Sequence, residues 1–318
     1  MAYAAGIEHF VDAVNATLPP DYYRLPLPRQ RELYDSLAEA LPNPVPAGVV
    51  WRDVRGEHER RPFRARVYEP ARRSGRGSVF YVRGGGFVIG SLHSHHSLVA
   101  EIADRTGLVA VALDFGMAPE NPAPGPVRDC YAGFCGILAD PGSYGLDIDP
   151  SAAVLAGESS GANMAVVLSM TARDQGGPSP AGQALISPVL DFTRWRRGGV
   201  DAPLLSGGEM EFFVGCYCPD PATAADEYVS PLLGGKFHDL PPAYVVGCEQ
   251  DSLRTDAERY AELLAAHGTP VRYVLEPGMV HAPVRARGVS GPAADMVRRF
   301  CAAAAALAAG EELADAHR

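Results

Sequence analysis

Apolar positions along the chain repeat with two different periods. Between about residues 2 and 41 the spacing is helical: Phe10, Val11 and Val14, then Leu33, Leu37 and Leu41, with Pro19, Pro20, Pro26 and Pro28 breaking the stretch into pieces. A second proline cluster, Pro42 to Pro46, ends this section, and the period then changes. Val49 to Val54 alternates weakly, and Phe63 to Tyr68 alternates cleanly, as a half-buried strand does. Val79–Val82, Leu108–Leu113, Ala152–Ala156, Ala184–Ile186, Tyr244–Val246 and Val271–Leu275 are short continuous apolar runs, which predict strands buried on both faces. Helical segments are predicted between them, at about 95–106, 126–139, 161–174, 255–267 and 291–309. Strands alternating with helices predict an α/β fold with a mainly parallel sheet flanked by helices. One stretch, about 190–238, breaks this rhythm: it has no clear strand, much Gly and Pro, and a short helix candidate at Met210–Val214. An insertion of that length between two core strands is uncommon unless it is functional. With about 1–45 it is expected to form a helical cap over the site of a single domain spanning 1–318, since no repeat, charge block or linker divides the chain.

Composition narrows the function. With 47% hydrophobic and 21% charged residues the chain supports a large core. Its net charge of −10 argues against nucleic acid or an anionic membrane as partner and suits a small-molecule substrate. No uninterrupted apolar run reaches the roughly 18 residues of a spanning helix, and the start lacks a basic segment followed by an apolar one, so stable membrane insertion is not expected and the cytoplasm is the default location. The six cysteines (Cys130, Cys135, Cys216, Cys218, Cys248, Cys301) form no CxxC pair and have no histidines at zinc spacing, so they read as free thiols, and no metal site is expected.

Four short constellations carry chemistry. Gly157-Glu158-Ser159-Ser160-Gly161 follows an apolar strand and precedes a helix, the context of a G-x-S-x-G nucleophile elbow. Glycines are needed there because the turn is tight, and the helix N-terminus aims free N–H groups at developing negative charge. Arg83-Gly84-Gly85-Gly86-Phe87 follows the strand at 79–82. Its backbone can approach a ligand closely and offer N–H donors to a tetrahedral oxyanion, and it matches no phosphate-binding motif. Asp251 and His281 each follow a further predicted strand. A hydroxyl needs an adjacent base at neutral pH, imidazole suits that task, and a carboxylate fixes its tautomer. Singly, Asp251 reads as a helix cap and His281 as a loop histidine; jointly, in the order Ser, Asp, His and each after a core strand, the three read as a catalytic triad.

Joined, these residues resemble the hormone-sensitive-lipase-like branch of the α/β-hydrolases, bacterial family IV carboxylesterases. The pattern HGGGF-x-x-G is similar to RGGGFVIG at 83–90, and GESAGG-N to GESSGAN at 157–163. D-Y-R-L-A-P-E resembles Asp114 to Glu120, D-P-L resembles Asp251-Ser252-Leu253, and P-G-M-x-H matches Pro277 to His281. Ser230 to Leu233 and Leu240 to Ala243 are further landmarks. The resemblance implies an eight-stranded α/β-hydrolase sheet with a helical cap, and hydrolysis of short to medium acyl esters through an acyl-enzyme on Ser159. It implies Asp251 and His281 as the other triad members, N–H groups of Gly84, Gly85 and Ser160 as oxyanion hole, and Arg83, Gly86 and Glu158 as supporting positions. No cofactor is implied, and dimers through an edge strand occur among relatives.

The departures matter as well. Arg83 stands where relatives carry histidine, and Gly116 where they carry arginine. A swap is expected, with the Arg83 guanidinium filling the vacated space and bonding to backbone carbonyls or to Glu120; the competing reading has Arg83 facing the pocket and binding an anionic substrate. Ser160 replaces alanine, and Ala282-Pro283 replaces Gly-Phe, which removes an aromatic wall from the expected pocket. These changes keep two other functions open: a non-hydrolytic acyltransferase or dehydratase-like lyase, and a non-catalytic ligand-binding protein.

Overall fold

The computed structural model describes residues 2–313, so the outermost ends of the expected 1–318 domain, Met1 and 314–318, lie outside the described residues. Eight strands form one sheet: β1 (Val50–His58), β2 (Arg61–Glu69), β3 (Ser78–Val82), β4 (Val109–Asp114), β5 (Ala153–Glu158), β6 (Gly182–Ile186), β7 (Ala243–Cys248) and β8 (Val271–Glu276). Their order is β1-β2-β4-β3-β5-β6-β7-β8. From β4 to β8 all pairings are parallel; β1 with β2 and β2 with β4 are antiparallel. The helices are α1 (Ile7–Thr17), α2 (Leu27–Ala40), α3 (His96–Thr106), α4 (Gly125–Ala139), α5 (Ser160–Gln175), α6 (Gly207–Tyr217), α7 (Pro221–Ala224), α8 (Arg254–Ala266) and α9 (Gly291–Ala308).

The continuous apolar runs are explained by helices on both faces. Val79 and Tyr81 of β3 pack into a cluster with side chains of α3 and α9, such as Ile102 and Phe300. Their neighbours Phe80 and Val82 point the other way, into a cluster with α4, α5 and α8. Alternation of side chains across the strand thus demands apolar residues at every position. At the edge, β1 is covered in part by α4 and is exposed or half-buried along its length. It also runs four residues beyond the alternation seen at Val49–Val54, turning into β2 through Glu59 and Arg60, both at positive φ (48° and 65°). Two-residue hairpin turns of that geometry favour Asn and Gly, which is why this one carried no signal.

The stretch 190–238 contains no core strand. It holds α6, α7 and 3-10 turns at Phe192–Trp195 and Pro231–Leu233. Helix α6 is longer than the apolar segment Met210–Val214 because Ser206 caps it, its Oγ accepting the N–H of Glu209 at 3.1 Å. The six cysteines are free, and all but the half-buried Cys216 are buried. No helix of the described residues is long and apolar enough to cross a membrane.

Candidate active site

The turns that follow β3, β5, β7 and β8 meet at one end of the sheet and carry the four constellations. Ser159 follows β5 directly and starts α5, at φ 53° and ψ −123°, a region disfavoured for a side chain. The surroundings hold it there. Its N–H donates to Ile186 O at 2.9 Å, and Gly161 leaves room for the next turn: a Cβ at that position would overlap the Val82 carbonyl oxygen.

His281 lies between Ser159 and Asp251. Its Nδ1 is 2.8 Å from Asp251 Oδ2, and its Nε2 is 3.1 Å from Ser159 Oγ. An ionised carboxylate only accepts, so Nδ1 carries the proton and Nε2 is left to accept from the serine hydroxyl. Asp251 is held in turn by the N–H of Leu253, at 2.9 Å from its Oδ1. Burial alone would push the imidazole pKa down; the adjoining Asp251 charge and hydrogen bond outweigh it and hold the group above its ordinary value. Ser160 is fully buried, and its hydroxyl has no partner among the described residues. Histidine therefore engages Ser159 and not its neighbour.

The oxyanion expectation needs a correction. The N–H of Gly84 donates to Glu158 Oε1 at 2.7 Å and is not free to face a ligand. The N–H groups of Gly85, Gly86 and Ser160 have no acceptor among the described residues, and Gly84, Gly85, Gly86, Ser159 and His281 line one cavity of about 320 Å³. Gly85 sits at φ 112°, where a Cβ would overlap the Ile89 carbonyl oxygen, so only glycine permits this path. The candidate donors are those of Gly85, Gly86 and Ser160.

Glu158 explains why Gly84 is occupied. Its buried carboxylate accepts from Tyr81 OH at 2.5 Å and Gly84 N–H at 2.7 Å, and lies 2.8 Å from His95 Nε2. Burial opposes the charged form, yet these three partners hold the carboxyl well below its usual range. Tyr81 and His95 escape a reading of the sequence: Tyr81 lies inside an apolar strand, and His95 is one of three histidines at 93–96 with no spacing to single it out.

Arg83 is buried, with 3% of its surface exposed, and does not line the cavity that holds Ser159. Its Nη1 donates to Ile89 O at 2.8 Å, and its guanidinium lies 4.2 Å from the centre of the Phe115 ring, beside Gly116. Glu120 is not its partner. Arg31 of α2 takes that carboxylate, at 2.7 and 2.9 Å, and also reaches the carbonyls of Val88 and Ala118. Ala282 occupies the left-handed region (φ 55°, ψ 44°), the conformation for which glycine is suited, and Pro283 opens a 3-10 turn. The aromatic wall comes from elsewhere, with Phe10, Phe87, Phe192 and Phe213 lining the cavity.

Helices α1, α2 and α6 supply another part of the cavity wall. Among its mainly apolar side chains stand Tyr22 and Glu209, joined by a 2.5 Å hydrogen bond from the phenol to Oε1. Burial raises the Glu209 carboxyl to about 6. The sequence marks Glu209 only as the acidic member of a Ser-x-x-Glu helix start. No group of three His, Cys, Asp or Glu among the described residues is placed to hold a metal ion.

Residues 79–285 match a family model described as the alpha/beta hydrolase fold. A carboxylesterase of Mycobacterium tuberculosis, NlhH, is 33% identical over 250 residues, covering 75% of this chain and 76% of that protein. An arylesterase of Saccharolobus solfataricus is 28% identical over 80% of this chain and 82% of its own. Among solved structures, a hyperthermophilic esterase from the archaeon Pyrobaculum calidifontis superposes with a TM-score of 0.86 at 27% identity, over 97% of this chain and 99% of that one.

Proposed function

Because this chain belongs to the hormone-sensitive-lipase-like branch of the α/β-hydrolases and is, like its relatives, a carboxylic ester hydrolase, we propose that it cleaves short- to medium-chain acyl esters through an acyl-enzyme on Ser159. The observation that carries this reading is the pair of contacts at His281, 3.1 Å to Ser159 Oγ and 2.8 Å to Asp251. His281 Nε2 takes the serine proton as Oγ bonds to the ester carbonyl carbon. The carbonyl oxygen becomes an oxyanion, which the N–H groups of Gly85, Gly86 and Ser160 receive. The imidazolium then gives its proton to the departing alkoxide, leaving alcohol and the acyl-serine. Water repeats the sequence: His281 removes its proton, its oxygen attacks the acyl carbon, and the carboxylic acid leaves as Ser159 regains its proton.

The preference for short to medium chains is supported by the cavity of about 320 Å³, at the small end of the range for small-molecule sites, roughly 300–1,000 Å³. Helices α1 and α2 and the stretch 190–238 act as the cap that sets this length. The test is hydrolysis of p-nitrophenyl esters from acetate to decanoate by wild type and by Ser159→Ala. Wild type is expected to peak at a short chain, with turnover of the variant about 10⁶-fold lower. Equal rates in the two proteins, or a silent wild type, would overturn the proposal.

A further inference from the structure

Among the described residues, the four buried carboxylates each face a histidine or an arginine. Glu158 meets His95, Asp251 meets His281, Asp256 meets Arg194, and Glu276 meets Arg299. Glu209 differs. It stands in the cavity wall, partly accessible from the cavity, and makes no salt bridge among the described residues. Its carboxylate accepts from the Tyr22 phenol, on a different element, and the backbone N–H of Ser206 and the nearby His281 also favour its charged form. An ionised carboxylate has about four acceptor positions, so Glu209 keeps acceptor capacity beyond these contacts. Its surroundings are apolar, including Met210 and Phe213 of the same helix and Phe10 and Val14 of α1. A carboxylate in such a place is stabilised by whatever cation or donor enters, because burial strengthens the attraction that water would weaken.

The helix start accounts for only part of this arrangement. Ser206 caps α6 through the N–H of Glu209, which any residue at that position would supply. Glu209's own side chain takes part in the helix start through the Ser206 N–H, and beyond that it supplies the contact with Tyr22 and the negative charge facing the cavity. The only arginine in the cavity wall, Arg285, is turned to Ser94 O at 3.2 Å and lies over the Tyr34 ring at 4.6 Å.

We propose that Glu209, positioned by Tyr22, is a specificity-determining residue that selects esters carrying an ammonium group in the part of the substrate lying against α6. The inference rests on the esterase reading and names the substrate class within it. The carboxylate accepts the ammonium N–H while the ester carbonyl lies at Ser159, so charge and reacting group are read by different elements.

Two pairs of esters test it, each pair differing by a single N–H⁺ for C–H exchange. On the alcohol side these are 2-(dimethylamino)ethyl butanoate and 3-methylbutyl butanoate. On the acyl side they are ethyl 4-(dimethylamino)butanoate and ethyl 5-methylhexanoate. The readout is the ratio of kcat/KM, cationic over neutral, in wild type, Glu209→Gln and Glu209→Asp. In one of the two pairs the ratio is expected to fall by roughly tenfold or more in Glu209→Gln, as for loss of a hydrogen bond between charged groups, and to be largely kept in Glu209→Asp. Binding of the same esters to Ser159→Ala and to Ser159→Ala/Glu209→Gln, by titration calorimetry, gives the same ratio without turnover. A protein that hydrolyses none of the esters but shows the Glu209-dependent binding ratio breaks the esterase reading and keeps this one. Ratios that are the same with and without Glu209, in both pairs, overturn it.

Discussion

The two walls of the cavity hold their carboxylates in opposite ways. On the side formed by the turns after β3, β5, β7 and β8, Glu158 has three partners and Asp251 has two, none of them supplied by a substrate. On the side formed by α1, α2 and α6, Glu209 has only the Tyr22 phenol and the Ser206 N–H, and no salt bridge among the described residues. The first wall is complete before anything binds, as catalysis by fixed dipoles requires. The second leaves acceptor capacity for the ligand. On the proposed reading, reaction and selection fall to different elements, coupled through the charges of Glu209 and His281.

Asp251→Asn attacks the complete wall most directly. The amide keeps the shape but no longer fixes the His281 tautomer, so turnover of p-nitrophenyl butyrate is expected to fall about 10⁴-fold. A loss below about tenfold would show that His281 is oriented by something else. Glu158→Gln is the next largest. It removes the charge that Tyr81, Gly84 and His95 surround, and with it the anchor of the loop bearing Gly85 and Gly86. Steady-state kinetics are expected to show kcat lower by about 10²–10³, the scale for a lost oxyanion donor, with KM little changed. If KM rises and kcat holds, Glu158 shapes binding and not the loop.

Substitutions on the other wall should act more gently. Phe213→Ala widens the cavity, and the best p-nitrophenyl chain is expected to lengthen, with rates on the longer esters up by roughly tenfold, the scale of a methylene or two in an apolar pocket. An unchanged chain-length profile would remove α6 from the acyl site. The smallest effect joins the two walls. His281 must be neutral to accept a proton, so kcat/KM declines as pH falls through its raised pKa, and the acidic limb is expected above the ordinary value of about 6.5. Asp251 contributes most to that rise, and the Glu209 and Glu158 charges add to it. Glu209→Gln removes one negative charge, so the limb should move to lower pH, by less than one unit, in a rate profile measured from pH 5 to 8. A limb that stays in place would mean the two walls are electrostatically independent.

The complete wall was legible in the sequence because chemistry dictates its residue types and tight turns dictate its glycines. Ser159, Asp251 and His281 are brought together as their order and strand context implied. Within that wall, the assignment of Gly84 was not legible. Three successive glycines look alike along the chain, and which N–H is diverted depends on a carboxylate 74 positions away. The open wall was readable only as helices of unknown placement. Tyr22 and Glu209 are 187 positions apart, neither belongs to a motif shared with the other, and apolar packing alone decides that they meet. Arg83 shows the intermediate case. Its burial beside Gly116 follows from the pair of departures, but the transfer of Glu120 to Arg31 depends on where α2 comes to lie.

The N-terminal segment is fastened to the turns that carry His281 and Asp251. Ala4 N–H donates to Gly278 O at 3.1 Å, Gln250 Nε2 to Ala2 O at 3.0 Å, and Ser290 Oγ to Ala5 O at 2.6 Å. During synthesis α1 therefore leaves the ribosome long before these anchoring turns exist. Its inward face, Ile7, Phe10 and Val14, packs in part against α2, which follows closely, and in part in the main core cluster with side chains made much later, such as Met279 and Val280. Contacts between such distant positions form late and slow the final step of folding. The cavity therefore closes only when segments as much as 285 positions apart in the chain meet.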